Sequence, residues 1–305
     1  PHASSSAASD VYKRQLIAPI SFTRVALAKQ GRDPKEWERF WKDPEARIFQ
    51  FLGQDNVYFY VLMQGAMWIG VRGKDTPDYT MTDVYSVFHL MVNGEKMSKS
   101  TGNYYTGDQL TEEMGYHPDQ LRYFLSTLSL AEKQSNFDFE TFKERNKFLA
   151  GPLNAAIEKP IAAVHSKFGG VVPNGKLLEK AEKETMKIVQ MYVKNMEKAD
   201  HITLLGQIEN YARLINSFFV QYKPHDDRHD ETERADGLYS CFYILKNLMI
   251  MLHPFVPETM DKVRMSLNLP ESVFSIDELG QPIPAGHAIG QKGQYFPAVE
   301  GSSEE

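Results

Sequence analysis

Cysteine is nearly absent: Cys241 is alone among 305 residues. One thiol makes neither an internal disulfide nor a cysteine-based zinc cage, which fits a reducing compartment. Long hydrophobic runs are missing too. No uninterrupted apolar stretch approaches the ~18 to 20 residues of a membrane-spanning helix, and the start lacks the basic-then-apolar pattern of a secretory signal. A cytoplasmic protein that needs no membrane is therefore expected. Basic excess is lacking: 34 Lys and Arg stand against 40 Asp and Glu, a net charge of -6, which argues against a protein whose main business is coating nucleic acid. What is present describes a folded chain. At 42% hydrophobic and 24% charged it is no disordered polypeptide, and its length suits one large or two ordinary domains.

The first fifteen residues read differently from the rest. PHASSSAAS is small and polar, and DVYKRQ (10–15) matches the translation of a transposase adapter used in preparing sequencing libraries. Residues 1–15 are expected to be such a scar, disordered, with the natural chain starting near Leu16 inside a longer protein.

From Leu16 to about Tyr104 helical and strand-like pieces alternate. Asp33-Pro34 before KEWERFW is a helix start, with Asp33 as N-cap. IFQFLG (48–53) reads as a buried strand, and Asp55 as the cap of a helix through NVYFYVLMQGAMWIG. A strand followed by a capped helix is the unit of a parallel α/β sheet. Val84 to Val92 is a second strand, with Asn93-Gly94 as a turn. Beyond Tyr105 strand signals fade. Helices are expected from Pro118 through DQLRYFLSTLSL and from Phe139 to about His165, the latter bent at Gly151-Pro152. A charged helix should span about 177–198. Apolar residues recur at helical spacing from Ile202 to Tyr222 and from Leu238 to Leu252, which predicts an antiparallel bundle that buries these stripes. After Leu269 comes a Pro/Gly-rich tail anchored at Gln294-Tyr295-Phe296-Pro297. The expected domains are 16–138, α/β in part, then helical 139–269, then an extended tail, 270–305.

Residues 93–103 read NGEKMSKSTGN. Lys96 and Lys99 alternate with the hydroxyls of Ser98 and Ser100, between glycines 94 and 102 that let the loop bend. Compact ammonium charges and short hydroxyl donors suit a polyphosphate. KMSKS is a signature of class I aminoacyl-tRNA synthetases, and a given five-residue string arises by chance in roughly one chain in ten thousand.

Taken in order, Ala18-Pro19-Ile20 with an aromatic at 22, FLGQDNVYFY, VNGEKMSKSTGN, LRYFL and the closing AGHAIGQKGQYFPAVEG resemble the methionyl-tRNA synthetase family over about 16–301. The resemblance implies the rear portion of a Rossmann-type class I catalytic domain followed by an antiparallel α-helical anticodon-binding bundle, a mainly α chain with an α/β part. It covers the family's second half. The first half, with the HIGH signature and an insertion that often binds zinc, has no counterpart here, since no H-x-G-H string occurs, so the chain alone is expected to be inactive. The implied partners are ATP with Mg²⁺ as substrate, methionine and tRNA. The implied roles are stabilisation of phosphate charge by Lys96 and Lys99 during adenylate formation, and nucleotide contacts by Met97, Ser98 and Ser100, with Met97 packing under the loop. Asp55 reads equally as a helix cap or as part of the active-site edge.

The methionine pocket departs from the family pattern. Phe22 stands where the family usually has tyrosine, Tyr60 for histidine, Gln64 for tryptophan and Gly65 for proline. Two aromatics keep an apolar thioether pocket within reach, while the changed polar groups bear on specificity. The family's His-Gly before the KMSKS strand is Val87-Phe88, with His89 as an unrelated packed residue. At the anticodon positions stand Ala156, Pro160 and His225; only His225 offers a ring for stacking on a base. Hence the alternatives of another amino-acid specificity, or of a noncatalytic tRNA-binding or regulatory paralogue. HDDRHDE (225–231) reads as a solvated loop with an N-cap rather than a metal site. Arg122 and Arg145 suit helix-surface salt bridges, His253 a packed helix break, and Cys241 the core.

Overall fold

The computed structural model describes residues 3–73, 78–98, 100, 102–128 and 135–298, with backbone alone for 3–14. The described residues are mostly helical and fall into two compact units, Pro1–Met97 with Ser129–Asn136, and Ser98–Leu128 with Phe137–Glu305. The sequence reading put the change from catalytic to helical part at 138/139; the contacts divide the chain at 97/98, 128/129 and 136/137.

The first unit opens with helix α1 (Ala3–Lys29). The segment expected to be disordered, 1–15, is thus helical from Ala3 on. Pro19 lies inside α1, and Thr23 Oγ1 donates to its carbonyl at 2.9 Å. Asp33 caps the next turn as expected, accepting from Lys35 N, and α2 (Glu38–Trp41) follows. The indole N–H of Trp41 donates to Thr23 Oγ1 at 2.9 Å.

Strand β1 (Phe49–Gly53) pairs in parallel with β2 (Asp83–Val87), Phe51 opposite Tyr85. The capped helix expected after β1 is different. A 3₁₀ turn (Gln54–Asn56) leads into a π-helical segment (Tyr58–Met63) and then α3 (Gln64–Gly70). Asp55 is not its cap: it lies inside the 3₁₀ turn and accepts from Asn56 Nδ2 at 3.4 Å. The strand expected over 84–92 is two strands in different sheets. After Val87 the chain breaks step at Phe88-His89, and β3 (Leu90–Val92) joins β4 (Glu95–Lys96) and β5 (Ser135–Phe137) in the order β4-β3-β5.

The second unit holds the helices. α4 (Pro118–Ser126) begins at the expected proline, capped by His117 Nδ1 on Asp119 N. α5 (Phe139–Phe148) and α6 (Asn154–Lys167) are joined by a π turn, Leu149–Leu153, at the predicted bend. α7 (Glu179–Glu197), α8 (His201–Tyr222), α9 (Glu231–Leu252) and α10 (Pro257–Ser266) complete the set. α9 starts earlier than its apolar stripe because Asp230 caps it through Glu233 N at 2.9 Å. One core runs through these helices, with Cys241, Phe242 and Met249 fully buried. Burial pushes the Cys241 thiol well above its ordinary range. The tail is clamped where expected. Tyr295 and Phe296 are buried, Asn154 bonds the backbone of Phe296 at both its oxygen and nitrogen, and Gln120 donates to the Pro297 carbonyl.

Candidate functional site

The lysine loop begins on a hairpin set by its turn residues. Asn93 and Gly94 both take positive φ, +49° and +81°, the geometry of a two-residue turn that suits the twist of the strands. The hairpin pairs Val92 with Glu95 and Met91 with Lys96, and Gly94 N donates to Asn136 Oδ1 at 2.7 Å. Lys96 is exposed at the end of β4, where it forms no ion pair within 4 Å among the described residues. Met97 is exposed, not packed under the loop, because its neighbours on the hairpin edge leave it open to solvent. In the second unit the chain turns back on itself. Ser98 N donates to Asn103 O at 3.1 Å, and the Ser98 and Ser100 hydroxyls lie 2.9 Å apart. Gly102 supports this turn with φ +71°. Lys99 lies outside the described residues.

Of the residues that the resemblance places at an amino-acid pocket, Gln64 is sealed at 1% exposure. Its Nε2 donates to the Leu16 carbonyl at 2.8 Å, and its Oε1 accepts from Gln50 Nε2 at 2.8 Å. Gln50 also donates to Thr82 Oγ1 at 2.9 Å. Gln64 therefore ties α3 to α1, β1 and the start of β2. Half-buried Tyr60, on the π-helical segment, lines a hollow of about 290 Å³ with Gln50 and Gly53, and another of about 400 Å³ with Gln64, Trp68 and Thr82. π-helical insertions recur at functional sites, where they turn side chains off the regular helical register. Phe22, expected beside them, is 69% exposed on α1 and lines neither hollow, because the continuous helix turns it to solvent. Sequence reasoning missed Gln50 and Thr82. The available signal was a lone glutamine within the apolar strand IFQFLG, where alternation turns one polar side chain inward. Asp55 is exposed, and His89 is half-buried.

Of the residues that the resemblance places at anticodon contacts, Ala156 and Pro160 are both buried on α6. His225 is exposed, and its ring lies parallel to that of Phe219 at 5.1 Å between centroids. The charged run around it is held by ion pairs. Arg228 makes two hydrogen bonds to Asp226, at 2.8 and 2.7 Å, and these hold the Asp226 carboxyl far below the usual carboxylate range. Asp227 bridges Lys167 and Arg234. No group of three or more metal-ligating side chains occurs among the described residues. Arg122 donates to the Pro254 carbonyl at 3.1 Å, and Arg145 makes no ion pair among the described residues. His253 stacks on Phe274 at 3.7 Å.

Comparison with known proteins agrees with the resemblance read from the sequence. The family described as tRNA synthetases class I (M) matches residues 11–159. The methionine–tRNA ligase of Methanothrix thermoacetophila is 28% identical over 94% of this chain and 42% of its own length. That of Flavobacterium johnsoniae is 25% identical over 93% and 44%. The chain thus spans less than half the length of these curated relatives. Mycobacterium tuberculosis methionyl-tRNA synthetase bound by methionyl-adenylate shares the fold, with a TM-score of 0.72 at 20% identity over 86% of this chain and 51% of that one.

Proposed function

We propose, from a chain that matches the tRNA synthetases class I (M) family over residues 11–159 and is similar along nearly its whole length to methionine–tRNA ligases, that it supplies the ATP loop and the RNA-binding bundle of such a ligase. The observation that carries the proposal is the unbroken string NGEKMSKSTGN, whose Asn93-Gly94 pair forms a two-residue turn.

In the full-length protein a methionine carboxylate oxygen attacks the α-phosphorus of ATP, which arrives with Mg²⁺. The bond to pyrophosphate breaks, giving methionyl-adenylate and free pyrophosphate. A terminal ribose hydroxyl of tRNA then attacks the methionyl carbonyl, and AMP leaves. Lys96 and Lys99 stabilise the charge that builds on the phosphates, by position rather than by proton transfer. Ser98 and Ser100 donate to phosphate oxygens, Met97 lies beside the nucleotide, and Asp55 stands at the edge of the site. Tyr60, between two hollows, faces the amino acid, while Gln64 shapes the pocket wall from behind. The reaction belongs in the cytoplasm; among the described residues no helix is long and apolar enough to cross a membrane.

Lys99→Ala in the full-length protein should slow single-turnover adenylate formation by about 10²-fold, with amino-acid affinity nearly unchanged. Unchanged rates would refute the role. Sealed Gln64 and buried Ala156 and Pro160 favour a second reading, a class I synthetase with another amino-acid specificity or a noncatalytic paralogue. Pyrophosphate exchange across a panel of amino acids separates these readings.

A further inference from the structure

Ala156 and Pro160 are packed into the core of the second unit, so RNA recognition there needs other residues. A hollow of about 290 Å³ between α7 and α8 carries suitable chemistry. That volume stands at the low end of the ~300–1,000 Å³ typical of small-molecule sites.

We propose that this hollow binds one unpaired RNA nucleotide, its base against the apolar floor and its flanking phosphates on Lys180 and Lys187. The proposal rests on the tRNA reading and names where on the bundle the RNA would be read. The floor is Ile188 and Tyr211, both buried, with half-buried Leu214. Above it Asn210 is exposed, its side-chain amide without a hydrogen bond among the described residues. Gln207 accepts from Asn195 Nδ2 at 3.2 Å, which orients its amide and leaves its own N–H groups for a ligand. Half-buried Glu184 adds a carboxylate acceptor for an exocyclic amino group. Donors and acceptors side by side over an apolar floor are what the exposed edge of a single-stranded base requires.

The lysines support this assignment. Elsewhere in the unit some charges three residues apart pair, as Lys143–Glu140 and Arg264–Asp261 do. Lys187 and Glu184 both line the hollow and make no ion pair with each other among the described residues. The Lys180 ammonium sits over the Phe218 ring at 5.9 Å. Seven residues separate the two lysines on α7, about 10 Å of helix rise. Their flexible stems can reach phosphates on either side of one nucleotide.

Fluorescence anisotropy of the whole chain against a fluorescein-labelled methionine tRNA transcript tests this. Combined Lys180→Ala and Lys187→Ala should weaken binding at least tenfold and flatten the salt dependence by about 0.7 in slope per lysine. Lys262→Ala, on α10, should leave both unchanged. Asn210→Ala should alter the ranking of single-stranded oligo(A), oligo(C) and oligo(U). If the chain binds tRNA but the lysine pair has no effect, or Lys262→Ala does equal damage, the site is wrong and the tRNA reading stands. If the unaltered chain leaves tRNA unbound, both fall.

Discussion

Two single residues test the helical unit in opposite directions. Gly237 on α9 faces Tyr222, and a Cβ placed there would lie 2.3 Å from the Tyr222 Cβ and 2.7 Å from its Cγ. The root of a side chain cannot swing away, so α8 and α9 would have to separate. Gly237→Ala should therefore destabilise by roughly 1 to 3 kcal/mol in urea unfolding. Ala199 is the reverse case. It holds φ +55° just beyond α7, where Ala199 N bonds Met196 O and Asp200 N bonds Asn195 O. A left-handed backbone costs an L-residue about 1 to 2 kcal/mol, so Ala199→Gly should stabilise by about 1 kcal/mol in the same assay. A stabilising Gly237→Ala or a destabilising Ala199→Gly would contradict the packing described.

At the scale of elements, legibility followed the kind of force that sets each one. Helices α4 to α9 were readable from apolar residues at a helical period and from Pro118, although α9 is buried on every side from Ser240 to Leu252; α10 was not anticipated, and the predicted bend at Gly151-Pro152 coincides with a π turn. The π-helical segment Tyr58–Met63 was not readable, since a π insertion leaves the apolar pattern almost unchanged. The break at Phe88-His89 was hidden for a related reason: the Val, Tyr, Leu and Met residues on either side make the run look continuous. The lysine loop was legible as a string, and its Asn-Gly turn as chemistry. The role of Gln64 was not, because its partners come from sequence positions 16, 50 and 82. That network makes a prediction of its own. Gln50→Ala leaves the Gln64 carbonyl oxygen buried without its closest donor, an omission that costs about 1 to 3 kcal/mol. The unit holding β1 should lose protection from amide exchange while the α8–α9 core keeps it. Equal loss in both would mean that the network does not brace this unit.

For the whole molecule, the two units differ in how completely they cover their apolar surface. The first exposes Phe22, Phe51, Leu62 and Val71, each more than half accessible, around a two-stranded parallel sheet. Parallel sheets are normally covered on both faces. The second closes one continuous core. Its acid response follows from two histidines. Burial lowers the pKa of His201 and His253 below the ordinary 6.5, with Asp200 opposing at His201, and Asp261 and Asp119 at His253. The unfolded chain then binds protons first as the pH falls, so their contribution is complete above about 6.5 and is lost as the pH drops through the two lowered values. The urea midpoint should fall between about pH 7.5 and pH 5.5, and fall less in His253→Asn. A midpoint that does not move over that range would contradict the burial of these rings.

If the lysine loop serves amino-acid activation, the full-length protein should exchange pyrophosphate into ATP in an amino-acid-dependent way. That exchange should depend on methionine and collapse in Lys99→Ala. Exchange that no amino acid stimulates would contradict that role.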